Sequence, residues 1–335
     1  MSLMRSETLE APDAVARCLA QKTRFAEIGA QLRALDPPFV VVGARGSSGH
    51  AGTYLRSLVE RALGLVTADL MPSVASVYHR ELRMRGALFV AISQSGRSPD
   101  LLAATAAASN AGALTLGVVN DADSPLANEC DLVVDISAGE EKSVAATKSV
   151  LATLAAGLAL VDAWTAADSG ADALPQRLHD AAALDWSRLE DLLAMVGHLF
   201  TVGRGPALGI AQEAGLKLAE TCGIAGLAYS AAELVHGPMA LAGPDFPVFA
   251  FLQDDASRPY SQDMLTSLAA RGTPVLTAGG SVQGATPLPM AAPLQPDADL
   301  LPALLRFYLA AEVAARRRGL DPDHPPSLQK VTRTV

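Results

Sequence analysis

With 335 residues, half of them hydrophobic and only 18% charged, the chain is long enough to divide into two domains with sizeable cores. A net charge of −9 argues against a nucleic-acid surface, which needs clustered Lys and Arg, and the one basic run, Arg316-Arg317-Arg318, is expected to complement a helix dipole. Cys18, Cys130 and Cys222 are widely spaced and form no CxxC pair, which excludes a disulfide framework or a thiolate zinc site.

In chain order, residues 1–34 read as a lead-in with a helix starting near Pro12. No hydrophobic region like that of a signal peptide precedes it, so a cytoplasmic protein is expected, and no apolar run is read as a membrane span. FVVVG (39–43) then reads as a strand, followed by the Gly-containing turn ARGSSGHA and a helix. LFVAI (88–92) is continuously apolar, as in a parallel strand covered on both faces. At its carboxyl end comes SQSGRS, where Ser93, Gln94, Ser95 and Ser98 crowd donors around Gly96. The next helix opens at Ser98-Pro99-Asp100, so a phosphate at its N-terminus fits the chemistry. A Ser-rich capping turn is the competing reading of the same residues. LTLGVVN (114–120) is a further strand, and Ser149 to Trp164 a long apolar helix. AADSGADALP (166–175) reads as a linker.

The second half repeats the first. FVVVGARGSSGHAGTYLRSLVE (39–60) lies over LFTVGRGPALGIAQEAGLKLAE (199–220) without a gap. SVASVYH (73–79) then matches SAAELVH (230–236), LFVAISQ (88–94) matches PVFAFLQ (247–253), and LTLGVVN matches PVLTAGG (274–280). The expected fold class is α/β: two tandem domains, 35–168 and 175–320, each a mostly parallel sheet flanked by helices in a three-layer sandwich. The tail, 321–335, is polar and broken by prolines, which by composition reads as disorder. Gly46-Ser47-Ser48 and the SQSGRS loop are expected to form two halves of one anion cradle. The second copy has QDDASR in the later position, where Asp254 and Asp255 repel phosphate, so one phosphate site per chain is expected.

That second copy carries EAGLKLAE, whose Glu213, Lys217 and Glu220 fall on one helical face. A solvated salt-bridge ladder is the ordinary explanation. The small apolar neighbours point instead to partial burial and proton transfer. Glu213 is expected in the first turns, near the dipole's positive end, and Glu220 further in, which makes Glu220 the stronger base. His236 precedes Gly237-Pro238, a rigid turn able to present an imidazole, although a structural histidine is the commoner case.

Taken together, GSS, SQSGRS, VAATKS, EAGLKLAE, AELVHGPMAL and SLQKVT occur in order and resemble the double SIS (sugar isomerase) domain family over residues 35–335. The nearest resemblance is to the isomerase half of glucosamine-6-phosphate synthase and to SIS-type glucosamine-6-phosphate deaminases. It implies that Ser48, Ser93, Gln94, Ser95 and Ser98 bind a sugar phosphate, and that the backbone at Val144 and Ala145 touches sugar hydroxyls. Glu220 would move a proton between carbons 1 and 2, with Lys217 beside it, His236 helping to open the ring and Lys330 meeting the open-chain carbonyl. The resemblance also implies a homodimer in which His236 reaches the neighbouring subunit's site, no cofactor or metal, and a tail ordered over the active site.

The activity so implied is conversion of glucosamine 6-phosphate to fructose 6-phosphate with loss of ammonia. Fructosamine or galactosamine 6-phosphate as substrate, for a deglycase or isomerase, is the enzymatic alternative; a sugar-phosphate sensor without turnover is the alternative of another class. Three departures stand out. Only some 35 residues precede the first unit, so no glutaminase activity is expected. Leu227 stands where the synthase has a glutamate, and Arg45 places an extra cation beside the cradle.

Overall fold

The computed structural model describes residues 1–330. Three helices lead in: α1 (Leu3–Leu9), α2 (Ala11–Leu19) and α3 (Lys22–Leu35). The expected single helix near Pro12 is α2 alone. Ahead of it, α1 forms because the Ser2 hydroxyl accepts from the Arg5 amide as an N-cap.

The first unit runs β1 (Val40–Gly43), α4 (Gly46–Leu63), β2 (Thr67–Asp69), α5 (Ser73–Ser76), β3 (Leu88–Ser93), α6 (Pro99–Asn110), β4 (Leu114–Val119), α7 (Pro125–Glu129), β5 (Leu132–Asp135) and α8 (Lys148–Thr165). After α9 (Leu174–Ala181) and α10 (Ser187–Met195), the second unit runs β6 (His198–Gly203), α11 (Pro206–Lys217), β7 (Ala225–Ser230), α12 (Ala231–Leu234), β8 (Val248–Phe251), α13 (Arg258–Ala270), β9 (Val275–Ala278), β10 (Thr286–Leu288) and α14 (Leu300–Arg317). The sheets have strand orders β2-β1-β3-β4-β5 and β7-β6-β8-β9-β10, and all their pairings are parallel. This is one topology used twice, as the internal repeat predicts. In this doubly wound order the crevice beside the first strand opens at the carboxyl edge, where ligands bind.

The largest core cluster spans both units. Helices α4 and α11 pack together closely at Gly209, where a Cβ would come within 2.5 Å of the His50 carbonyl oxygen. That approach sets residues of the first unit's helix directly against those of the second's. The helix α8 is long and apolar enough to cross a membrane, with a mean hydropathy of 1.2, which corrects the expectation that no run qualifies. It is mostly buried, packed by α2, α3 and α4, so its apolar circumference is that of a central core helix. At the end of α14, Arg317 pairs with Asp191 at 2.7 Å, and Arg318 donates to the carbonyls of Leu193, Ala194, Val196 and Cys222. The basic run therefore ties α14 to α10 as well as closing a helix.

Candidate active site

A cavity of about 350 Å3 opens at the carboxyl edge of the first sheet. One wall is Arg45, Gly46, Ser47 and Ser48 at the head of α4; another is Ser93, Gln94, Ser95 and Ser98 between β3 and α6. The loop is shaped by Gly96, whose φ of +61° and packing against Ser124 (a Cβ would lie 2.2 Å from its Oγ) exclude a side chain. Ser93 Oγ accepts from the Gly96 amide at 3.0 Å and Ser95 Oγ from the Arg97 amide at 3.4 Å, so part of the loop does cap itself. Ser98 is the N-cap of α6 yet makes no side-chain capping bond, leaving its hydroxyl at the cavity wall. Both cradle halves predicted from the sequence thus face one space.

The opposite wall comes from the second unit. After α11 the chain passes through a π-helical turn, Leu218–Cys222, a local widening frequent at functional sites. The turn carries Glu220 to the cavity, with its side chain 20% exposed, while Lys217 and Glu213 stay 1% exposed behind it. Lys217 Nζ lies 2.5 Å from Glu220 Oε2, 3.3 Å from Glu213 Oε1, and donates to Ser47 Oγ at 3.0 Å. Ser47 donates in turn to Glu213 at 3.2 Å and Tyr308 donates at 3.1 Å. His50 Nδ1, 2.9 Å from Glu213 Oε2, completes the set, and the carboxylate fixes that nitrogen as the protonated one.

These contacts decide the charges. Burial pushes the Glu213 carboxyl up, but Lys217, His50 and Ser47 together outweigh it and hold it below the usual range. Burial alone would lower the Lys217 ammonium; Glu213 and Glu220 raise it instead. Burial and Glu213 push the Tyr308 phenol well up, so it remains a donor. Glu213 lies in the second half of α11, not in its first turns, and it is these partners rather than the helix dipole that hold it ionised. Glu220 is set against an ammonium rather than among apolar neighbours.

The third wall is the segment before α8 together with the tail. Val144 lines the cavity, but Ala145 is fully buried in the core and Ala146 lines it instead. Lys330 lines the cavity with Leu328 and Gln329, and its Nζ donates to Ser143 O at 2.7 Å and to Glu141 Oε2 at 3.1 Å. Residues 328–330 thus cover the site, contrary to the compositional expectation of disorder; 331–335 lie outside the described residues. Burial raises the Glu141 carboxyl, but Lys330, Ser149 and Thr147 outweigh it and keep it below the usual range. Glu7 of α1 accepts from the amides of Lys142 (2.5 Å) and Ser143 (3.1 Å), so the lead-in fixes the loop that Lys330 grips. His236 is exposed on the turn after α12 and does not line this cavity. Sequence reasoning missed His50, Glu7, Glu141 and Tyr308. For His50 a signal existed, since it lies three residues after Ser47 on one helical face.

The SIS domain model matches residues 38–163 and 192–280. The glutamine–fructose-6-phosphate aminotransferase (isomerizing) of Symbiobacterium thermophilum is 35% identical to this chain, over 91% of it and 53% of that protein. The aminotransferase of the same name from Pseudomonas syringae pv. tomato is 33% identical, over 87% of this chain and 51% of that protein. The chain thus spans about half the length of these curated relatives. Among solved structures, it is similar to a provisionally assigned phosphosugar isomerase from Silicibacter pomeroyi DSS-3, with a TM-score of 0.92 and 41% identity over 96% of this chain and 100% of the other. It shares its fold with the glucosamine-6-phosphate deaminase of Thermotoga maritima, at a TM-score of 0.78 and 21% identity over 97% and 100% of the two chains.

Proposed function

From the premise that this chain belongs to the SIS domain family, we propose that it is an amino-sugar phosphate isomerase and deaminase acting on glucosamine 6-phosphate. One observation carries the reading: a hydroxyl loop at a helix N-terminus and a carboxylate paired with a buried ammonium, contributed by different units, face the same cavity. Ser48, Ser93, Gln94, Ser95 and Ser98 take the phosphate, and remote binding of that group positions the reacting carbons. With the ring open, Glu220 removes the proton from carbon 2 and returns it to carbon 1, one carboxylate serving as base and then acid. Lys217 opposes the charge that develops on oxygen 1. Oxygen 1 takes up a proton as the nitrogen on carbon 2 gives one up, leaving an imine at carbon 2, which water hydrolyses to fructose 6-phosphate and ammonia. Lys330 stands where the tail closes the cavity and meets the open-chain carbonyl.

His236 belongs to this scheme as a residue given to the neighbouring subunit of a homodimer, which accords with its exposure on a turn flanked by the exposed apolar Val235 and Leu241. Similarity to the aminotransferases and to the phosphosugar isomerase supports phosphosugar chemistry and accords with a cytoplasmic enzyme. A sensor needs the phosphate loop alone and gives no reason for the buried Glu213–Lys217–Glu220 assembly. The test is ammonia release from glucosamine 6-phosphate compared with galactosamine and fructosamine 6-phosphates. Fastest turnover of glucosamine 6-phosphate is expected; turnover confined to a fructosamine 6-phosphate would replace this substrate with a deglycase's, and none from any would leave the sensor.

A further inference from the structure

Arg45 is the N-cap residue of α4, with an extended backbone (φ −140°, ψ 155°) and no side-chain capping bond. Its side chain crosses instead to the first turn of α6. There Nε and Nη2 donate to Asp100 Oδ2 at 2.9 and 2.6 Å. The Asp100 side chain is fully buried, whereas that of Arg45 is 50% exposed and lines the cavity. A guanidinium offers five donors on a rigid fork. Asp100 occupies the Nε/Nη2 edge, and Nη1 makes no hydrogen bond among the described residues.

Among the described residues, the other cations lining the cavity are committed. Lys217 is buried between Glu213 and Glu220, and Lys330 is held by Glu141. Arg97 within the hydroxyl loop turns away to Asp121, at 3.0 Å. Among the described residues, a phosphate dianion on Ser93–Ser98 would therefore meet only hydroxyls and amides unless Arg45 intervened. The second unit supplies the contrast. At the equivalent helix cap it has Gly205, and its corresponding loop carries Asp254 and Asp255. A cation at the cap position and free hydroxyls in the later loop occur together in one unit; in the other, Arg204 beside the cap lies over the Tyr260 ring at 5.2 Å, and the Ser257 hydroxyl is spent on Asp255 at 2.6 Å.

We propose that Arg45 is the residue by which the cavity reads phosphate charge: buried Asp100 holds one edge of its guanidinium, and the Nη1 side receives the phosphate oxygens. The inference rests on the phosphate cradle proposed above and adds a specificity determinant to it. Charge-assisted, geometrically fixed bonds of this kind discriminate a dianion from a monoanion or a neutral sugar.

The test uses the full chain and inorganic phosphate as probe, titrated by calorimetry on both sides of the phosphate's second ionisation. Arg45→Gln is expected to weaken binding about tenfold or more, as for loss of a hydrogen bond to a charged group, and to erase the wild type's preference for the dianion. Arg45→Lys should fall between the two, because it keeps the charge without the fork. Since Arg45→Gln removes a cation from beside a buried carboxylate, Arg45→Gln/Asp100→Asn supplies a variant with that carboxylate neutralised, and it too should bind weakly. Ser95→Ala/Ser98→Ala separates this inference from its premise. If that pair loses phosphate while the Arg45 variants bind the dianion as the wild type does, Arg45 has no such role and the cradle stands. If neither set changes phosphate binding, the cradle itself fails and the inference with it.

Discussion

The two units share one strand order, yet they finish the strand beside the first in opposite ways. In the first, β3 ends in hydroxyls, and Ser98 heads α6 without capping it. In the second, β8 is followed by a loop that saturates itself: Asp254 pairs with Arg258 at 2.8 Å, Asp255 accepts from the amide and hydroxyl of Ser257, and Gln253 accepts from the Ala207 amide. A sheet edge can take an anion when its hydrogen-bonding capacity is left open; the second unit's edge also borders a cavity, of about 400 Å3, but its loop has spent that capacity locally. The second unit's contribution lies instead at the end of α11 and on the π-helical turn after it, where Lys217 and Glu220 meet the first unit's cavity. On the proposed reading, duplication divides binding and chemistry between the copies.

The largest expected effect breaks the second unit's share alone. Glu220→Gln keeps size and hydrogen-bonding capacity but removes the proton acceptor. Exchange of the carbon 2 hydrogen with deuterated solvent should fall about a hundred- to ten-thousand-fold, with sugar-phosphate binding retained. Exchange at the wild-type rate in Glu220→Gln, with loss in Glu213→Gln, would exchange the two carboxylates' roles.

Glu213 sharpens the comparison from the side of stability, because it is the anion that joins the units. Glu213→Gln leaves Lys217 with one carboxylate fewer in a buried site, and a loss of about 3 kcal/mol is expected, at the low end for a broken buried pair because Glu220 remains. The folded-state carboxyl is held below its unfolded value. Its contribution is therefore fully present above the unfolded value, about 4.3, and is lost as pH falls through the folded one. Melting temperatures of wild type and Glu213→Gln should lie far apart at neutral pH and converge on acidification. A gap that widens in acid would mean that the carboxyl is not the ionised member of the network.

Much of this division was legible before any coordinates. Parallel strands buried on both faces read as apolar runs, so β1, β3 and β4 and the repeat itself were plain, and the polar burst at Ser93 marked a sheet edge. What escaped was long-range pairing. Nothing in the sequence near Glu7 announces the amides of Lys142 and Ser143, and Tyr308 reaches Glu213 across 95 positions of chain. That Ala146 lines the cavity while Ala145 is buried is decided by the protein's packing and not by composition. α8 shows the reverse problem: composition qualifies it for a bilayer, and only its neighbours assign it to the core.

In the first unit, Ser95→Ala with Ser98→Ala should raise the Michaelis constant for the phosphorylated sugar about a hundredfold while leaving kcat nearly unchanged, each lost bond to a charged oxygen costing about 1.5 kcal/mol. Steady-state kinetics decide it. A drop in kcat at constant Michaelis constant would place these hydroxyls at the reacting carbons instead of the phosphate.

The smallest expected effect asks whether the second edge is closed by its acids alone. Asp254→Ser restores a hydroxyl at a position aligned with Ser95 and removes one charge that repels phosphate. The freed guanidinium of Arg258 nevertheless keeps its bond to the Gly279 carbonyl at 2.9 Å, and Gly205 still stands where the first unit has Arg45. Asp254 is 76% exposed, so losing its ion pair should cost less than about 1 kcal/mol. Calorimetric titration with inorganic phosphate should therefore give one site per chain in Asp254→Ser, as in the wild type. Appearance of a second site would show that one acidic side chain separates the two units' edges, and that the helix-cap cation is dispensable for phosphate binding.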